Sequence, residues 1–157
     1  RSLVGSEMCI RDRLIMYSAD FSSELSLQFA DQGIRAGFPS PAQDYMTDSI
    51  DLNRELIHHP ATTFYARACG DSMKDCGIDD GDLLVIDKSL EPQDEDIVVA
   101  FIDGEFTLKK VRFDKADNCI WLIPANEDYS PIKITEENNF LIWGVLTYNI
   151  KRQFRKK

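Results

Sequence analysis

The segment DIVVAFIDGEFTLKKV, residues 96–111, contains two runs of strand-forming residues with Asp103-Gly104 between them. An Asp-Gly pair in this setting is a strong signal for a two-residue hairpin, because both turn positions require a positive φ. Similar apolar runs recur about every ten residues on either side, separated by Gly, Asp and Pro, which is typical of all-β domains. We therefore predict a mainly β fold with strands at 62–68, 82–87, 96–102, 105–111, 119–123, 132–134 and 140–147.

Composition and charge limit the class of protein. The chain has 157 residues, of which 43% are hydrophobic and 29% charged, enough for one domain with a real core. Its formal net charge of −9 argues against the whole chain binding a phosphate backbone, and we expect no direct sequence-specific DNA binding. No apolar run approaches the roughly 20 residues that cross a bilayer. We expect a soluble cytoplasmic protein that does not contact membranes.

The cysteine and histidine positions do not match a metal site. None of the four cysteines forms a Cys-x-x-Cys pair, and the two histidines are adjacent and precede Pro60. Such spacing suits neither structural zinc nor a disulfide framework, so we expect no metal and no cofactor. A histidine pair before proline is typical of a solvated turn and is a poor catalytic base. These residues are Cys9, Cys69, Cys76, Cys119, His58 and His59.

The composition and residue pattern divide the chain into four segments. Residues 1–15 fit nothing downstream and look like a non-native leader, which places the start at Met16 or, as an alternative, at Met8. Residues 16–42 form an N-terminal arm, 43–150 the β-rich core, and 151–157 a short basic tail that we expect to be solvated.

Two short helices are predicted before the strands begin. In the arm, Phe21, Leu25 and Phe29 recur at intervals of four residues, which permits a short helix. A second helix or turn is predicted around Asp51-Leu52-Asn53, with Asp48 or Ser49 as its cap.

Between these helices, Pro39 and Pro41 hold the chain extended around Ala36-Gly37. A linker accounts for such a segment, but a protease cleft also accepts an extended chain of small residues.

A serine lies at a glycine-flanked turn in Gly70-Asp71-Ser72-Met73, just before the strand at 82–87. Glycine allows the close backbone approach that a nucleophile needs, although most turns of this composition are only turns. The hairpin supplies a candidate base. Period-two alternation puts Lys109 on the face opposite Phe106 and Leu108, which look like the core.

Lys109 and Lys110 have two interpretations. They are either exposed lysines that protect a sheet edge, or one of them is buried and neutral. A lysine with the ordinary pKa of about 10.4 is protonated at neutral pH, but burial lowers the pKa by up to about 3–5 units. A lysine enclosed by apolar neighbours beside Ser72 could then act as a general base, as in Ser-Lys dyads.

Three features together resemble the LexA-type self-cleaving serine peptidases: Ala36-Gly37, Gly70–Met73 and Asp103–Lys110. The resemblance runs from about Ala36 to Val145 and is closest to the UmuD branch of that family. The segments typical of that branch are Gly37–Ala42, Ile50–Asn53, Gly81–Leu84 and Tyr129–Ile132.

The resemblance implies a fold and a site. The fold would be the LexA-like C-terminal peptidase fold, which is β-clip-like, with a short flexible N-terminal arm and with 43–150 as peptidase and dimerisation core. Ser72 would be the nucleophile, Lys109 the general base and Ala36-Gly37 the scissile bond. The backbone amides of Asp71 and Ser72 would form the oxyanion hole.

The resemblance also implies partners. Family members form homodimers and cleave themselves when a RecA nucleoprotein filament promotes the reaction. In the UmuD branch the processed form joins a UmuC-type Y-family DNA polymerase subunit in error-prone translesion synthesis during the SOS response.

Three alternatives stay open. A LexA or phage repressor shares the self-cleavage chemistry but carries a helix-turn-helix domain of roughly sixty residues before the scissile bond, where this sequence has 36 positions. A signal peptidase uses a similar dyad but needs a membrane anchor. In a catalytically silent dimeric binding module, Ser72 and Lys109 would be ordinary turn and strand residues.

Overall fold

The structure is a computed structural model that describes residues 14–18, 26–29 and 48–154. These residues form two compact units, one comprising 14–18 with 61–154 and the other 26–29 with 48–60. The strands of the larger unit are β1 (Leu14–Ser18), β4 (Thr63–Ala68), β5 (Leu83–Asp87), β6 (Ile97–Ile102), β7 (Glu105–Asp114), β8 (Cys119–Ile123), β9 (Ile132–Ile134) and β10 (Phe140–Ile150). Those of the smaller unit are β2 (Ser26–Phe29) and β3 (Asp48–Asp51), followed by the helix α1 (Leu52–Leu56).

The larger unit is one antiparallel sheet with the strand order β1-β4-β5-β10-β6-β7-β8-β9. The predicted mainly β fold is therefore confirmed. Short 3-10 helices at Pro60–Thr62 and Lys74–Cys76 are the other helical turns among the described residues.

The predicted hairpin joins β6 and β7. Ile102 pairs with Glu105, and the two turn residues Asp103 and Gly104 have φ values of 48° and 92°. Both values lie in the left-handed region that the tight hairpin turn requires, which explains why Asp-Gly stands there. This turn sets the register that pairs Val98 with Lys109.

Apolar side chains cover both faces of the sheet. One cluster contains Leu84, Ile86, Val99 and Leu108, and a second contains Val98, Val111 and Val145. Neighbours along a strand, such as Val98 and Val99, point to opposite faces, so β6 contributes to both clusters. The strand next to it, β7, is thus buried on both sides along its middle.

The long strand β10 passes between β5 and β6 and changes register twice, between Ile142 and Gly144 and between Leu146 and Tyr148. Gly144 packs tightly against β5. A Cβ atom built on it would lie 2.6 Å from Cγ2 of Ile86, closer than real Cβ contacts allow.

The smaller unit differs in part from the sequence prediction. β2 pairs with β3, with Leu27 opposite Ile50, so the helix predicted from the spacing of Phe21, Leu25 and Phe29 is wrong at Phe29. Strand pairing satisfies the backbone there, and tertiary context overrides a weak helical spacing. Phe21 and Leu25 lie outside the described residues.

The second helix is confirmed. α1 begins after Asp51, whose carboxylate accepts a hydrogen bond of 3.0 Å from the backbone amide of Asn53. Asp48 and Ser49, the predicted caps, lie in β3 instead. Asp51 is both the last residue of β3 and the N-cap of α1, so the helix follows the strand with no linker between them.

The division into leader, arm, core and tail stays a prediction, but the described residues show contacts at two of its boundaries. The leader boundary after residue 15 falls inside β1, because Leu14 and Ile15 pair with Ala68 and Arg67 of β4. Lys151, the first residue of the predicted basic tail, is bound to the larger unit: its Nζ lies 2.6 Å from a carboxylate oxygen of Asp79 and 2.6 Å from one of Asp82. No helix in the described part of the chain is long and apolar enough to cross a membrane.

Replacing Gly144 with alanine is expected to lower the free energy of unfolding by about 1–3 kcal/mol, because the new methyl group overpacks the contact with Ile86. Urea denaturation measures the change. Glu137→Ala is the control, at an exposed position where a change within about 0.5 kcal/mol is expected. Equal midpoints for the two variants would contradict the close approach of β10 to β5.

Candidate active site

Ser72 lies in the loop that leaves β4, which we call the serine loop (Cys69–Met73). Gly70 has a φ of 95°, which lets the chain turn sharply after the strand. Its amide donates to the Asp80 carboxylate at 2.7 Å, and the Gly81 amide donates to the Ala68 carbonyl at 2.7 Å. The turn at 77–82 therefore supports the serine loop from one side. The Ser72 side chain is buried, with its residue 3% exposed.

Lys109 lies in the buried middle of β7. It is 2% exposed and has the largest fully buried side chain among the described residues. The edge-strand interpretation is wrong for Lys109, because β7 lies between β6 and β8. Lys110, on the opposite face, is half-buried and forms an ion pair with Glu95 at 3.7 Å. The two neighbouring lysines thus have different environments.

The Lys109 amine lies against the serine. Its Nζ is 3.3 Å from Ser72 Oγ, 2.7 Å from Thr107 Oγ1 and 3.2 Å from the Leu108 carbonyl oxygen. All three oxygens are uncharged. The amine is thus within hydrogen-bonding reach of the serine hydroxyl, the geometry that a proton transfer between the two groups requires.

Thr107 was not among the residues predicted for the site, although it touches Nζ at the shortest of these distances. The signal in the sequence is its position two residues before Lys109 on the same strand, which places both side chains on one face. A hydroxyl at this position orients the amine by hydrogen bonding.

A small cleft opens beside Ser72. The cleft is lined by Cys69, Gly70 and four residues of the first apolar cluster: Ala68, Met73, Ile78 and Leu108. Walls made of small and apolar groups suit a small apolar side chain.

The backbone around the predicted oxyanion hole is held from a second side. The Asp71 carbonyl accepts from Asn126 Nδ2 at 2.9 Å, and the Ser72 carbonyl accepts from the Ala125 amide at 2.8 Å. Tyr129 OH donates to Asp71 Oδ1 at 2.7 Å. Sequence reasoning assigned no role to Asn126. This residue follows β8 and lies 54 positions after Ser72 in the chain. The oxyanion role of the Asp71 and Ser72 amides stays a prediction.

The other predicted residues fall elsewhere. Ala36 and Gly37, the predicted scissile pair, lie outside the described residues. His58 and His59 are both exposed in the segment after α1.

In the described part of the chain, one group of side chains could hold a metal ion: Asp114, Asp117 and Cys119, at the turn between β7 and β8. Asp114 there accepts from the backbone amides of Ala116 and Asp117, so its carboxylate already stabilises the turn.

Comparison with known proteins gives the class of this chain. The model of the family described as peptidase S24-like matches residues 28–147, and the chain belongs to this family. It is 48% identical over 112 residues to the protein SamA of Salmonella typhimurium, covering 71% of this chain and 76% of SamA. It is 40% identical over 137 residues to the protein MucA of Escherichia coli, covering 87% of this chain and 92% of MucA.

A more distant match is the LexA repressor of Colwellia psychrerythraea, 39% identical over 113 residues, which cover 71% of this chain and 52% of LexA. The predicted resemblance to the LexA-type peptidases and to their UmuD branch is confirmed, with SamA and MucA as relatives of the UmuD type.

Lys109→Met replaces the buried amine with an apolar side chain of similar length. We expect the free energy of unfolding to stay the same or to rise by up to about 2 kcal/mol, because an apolar side chain does not have the cost of burying an amine. Urea denaturation measures it. Leu122→Ala on the neighbouring strand, also fully buried, is the control and should cost about 2–5 kcal/mol. A comparable loss in Lys109→Met would show that the lysine supports the fold.

Proposed function

We propose that this chain is a self-cleaving serine peptidase in which Ser72 is the nucleophile, Lys109 the general base and Ala36-Gly37 the bond that is cut. The observation that carries the proposal is the buried Lys109 amine 3.3 Å from Ser72 Oγ. That distance is slightly longer than an ideal catalytic hydrogen bond, as is common before substrate is bound. Membership of a peptidase family supports the same chemistry.

The reaction follows from these groups. The neutral Lys109 amine removes the Oγ proton as Oγ bonds to the Ala36 carbonyl carbon, and the carbonyl electron pair moves onto oxygen. When the tetrahedral intermediate collapses, the bond to the Gly37 nitrogen breaks and the Lys109 ammonium returns its proton to that nitrogen. Water, deprotonated by Lys109, then attacks the carbonyl carbon of the Ser72 ester. The bond to Oγ breaks, the Lys109 ammonium returns its proton to Oγ, and the Ala36 carboxyl group is released. The amides of Asp71 and Ser72 are the proposed donors to the oxyanion.

Self-cleavage has a physical advantage and a physical risk. Nucleophile and scissile bond belong to the same chain, which raises their effective concentration above that of a bimolecular reaction. The same proximity would cut the chain prematurely unless the competent arrangement is rare. We propose that a RecA nucleoprotein filament shifts the population toward that arrangement.

The UmuD-type relatives support a biological setting. In this proposal the protein is a cytoplasmic homodimer, and the form that begins at Gly37 acts with a UmuC-type polymerase subunit in error-prone translesion synthesis during the SOS response. The chain carries a formal net charge of −9, so this role assigns contact with DNA to its partners.

Incubation at about pH 10 tests the chemistry without a partner. The cleavage rate is expected to rise with pH, because more Lys109 loses its proton and can accept one from Ser72. Mass spectrometry should find two fragments, 1–36 and 37–157, and neither in Ser72→Ala or Lys109→Ala. Addition of RecA filament should give the same fragments near neutral pH.

Lys110→Ala is the matched control, since it removes the neighbouring lysine on the opposite face and should cleave at the wild-type rate. An intact wild-type chain under both conditions would leave the silent binding module as the better explanation.

Thr107→Val removes the hydroxyl 2.7 Å from Nζ while keeping the shape of the side chain. The self-cleavage rate is expected to fall about tenfold, because the amine loses the contact that orients it toward Oγ. Thr107→Ser keeps the hydroxyl and should recover most of the rate. The time course of fragment formation measures both variants, and equal rates for valine and serine would rule out orientation by Thr107.

A further inference from the structure

The segment between β8 and β9, residues 124–131, is bonded to the serine loop and to the residues after it. The Ala125 amide donates to the Ser72 carbonyl at 2.8 Å, and the Ala125 carbonyl accepts from the Asp75 amide at 2.9 Å. Asn126 and Tyr129 add side-chain bonds to the Asp71 carbonyl and carboxylate, at 2.9 Å and 2.7 Å. Four hydrogen bonds therefore connect residues that are 50 to 58 positions apart in the chain.

These bonds determine how the peptide groups around Ser72 face. A trans peptide is planar, and its N–H points opposite to its C=O. Asn126 holds the Asp71 carbonyl, which fixes the direction of the Ser72 N–H; the Ala125 amide holds the Ser72 carbonyl and so fixes the Met73 N–H. The orientation of the nucleophilic residue is thus set from outside its own loop.

Both polar atoms of the Asn126 side chain are hydrogen-bonded. It is 5% exposed, its Nδ2 donates to the Asp71 carbonyl, and its Oδ1 accepts from the Asp128 amide at 3.0 Å. Because one partner needs a donor and the other an acceptor, the side-chain amide has one satisfactory orientation. Its own carbonyl accepts from the Tyr129 amide at 3.1 Å, so the turn that carries Asn126 is closed as well.

We propose that Asn126 is a positioning residue for self-cleavage: its carboxamide holds the Asp71-Ser72 peptide so that the Ser72 N–H faces the developing oxyanion. This inference rests on the proposed function. Asn126 does not touch the reacting atoms; it acts through the peptide that it holds.

Asn126→Ala tests the inference in the full chain, by the rate of fragment formation from about pH 7 to pH 11. The maximal rate is expected to fall about tenfold or more, because a misplaced oxyanion donor no longer stabilises the transition state fully. The midpoint of the pH–rate profile should not move, because the groups around the Lys109 amine are unchanged.

The matched control is Asn138→Ala. Asn138 also closes a turn, since its Oδ1 accepts from the Thr135 amide at 2.9 Å and its Nδ2 donates to Asp103 at 2.9 Å. It makes the same kinds of bond away from the serine loop, so its variant should cleave within about twofold of the wild-type rate. A role of Asn126 in folding alone predicts that the two variants cleave equally fast, and that result overturns the inference.

If Asn126→Ala does not fold, Asn126→Asp decides. It keeps the shape and the acceptor for the Asp128 amide, but it places an oxygen against the Asp71 carbonyl; slow cleavage by the folded variant supports the inference and the wild-type rate overturns it. Wild type and Ser72→Ala are run alongside. If the wild-type chain is not cleaved, both the proposed function and this inference are wrong. If the wild type is cleaved and Asn126→Ala is cleaved at the same rate, only the inference is wrong.

Discussion

The candidate site depends on holding an amine inside a sheet. A lysine normally keeps its ammonium group in water, and a charged group moved into a protein interior loses hydration worth several kcal/mol. β7 takes Lys109 to a position between two neighbouring strands, with Val98 directly opposite it, where water is replaced by two hydroxyl groups and one carbonyl oxygen. None of these three oxygens carries a charge. A lysine accepts a proton only in its neutral form, and the proposed role of Lys109 requires that form next to the serine hydroxyl.

The serine has to meet this amine with a defined geometry, and its loop is short and polar. Two other segments supply the rigidity. The turn at 77–82 bonds to Ala68 and Gly70 at the start of the loop, and residues 125–129 bond to Asp71 and Ser72. A loop held by hydrogen bonds at both ends loses conformational freedom on folding rather than during the reaction. The sheet thus provides the position of Lys109, and the loops provide the orientation of Ser72.

Sequence reasoning reached the features that depend on local chemistry. Asp103-Gly104 specified the hairpin because few residues tolerate two positive φ values, and period-two alternation placed Lys109 opposite Leu108. It missed features that depend on distant partners. Phe29 is in a strand because β3 lies beside it, and no pattern near residue 126 reveals that its carboxamide meets Asp71. Helical spacing over three residues and an isolated asparagine are both too weak to specify a contact.

Lys151 and Lys109 lie in the same unit but in contrasting environments. The Lys151 amine is bound by the carboxylates of Asp79 and Asp82, and these hydrogen bonds raise its pKa above the ordinary lysine value. Because the pKa of Lys151 is higher in the folded state than in the unfolded state, its ion pair stabilises the fold fully at any pH below the unfolded-state pKa. This stabilisation is lost only as the pH rises through the folded-state pKa. The ion pair therefore still holds the end of β10 against the turn at 77–82 at an alkaline pH where an ordinary lysine is losing its proton. Since that turn supports the serine loop, the scaffold keeps its shape under the conditions that favour a neutral Lys109.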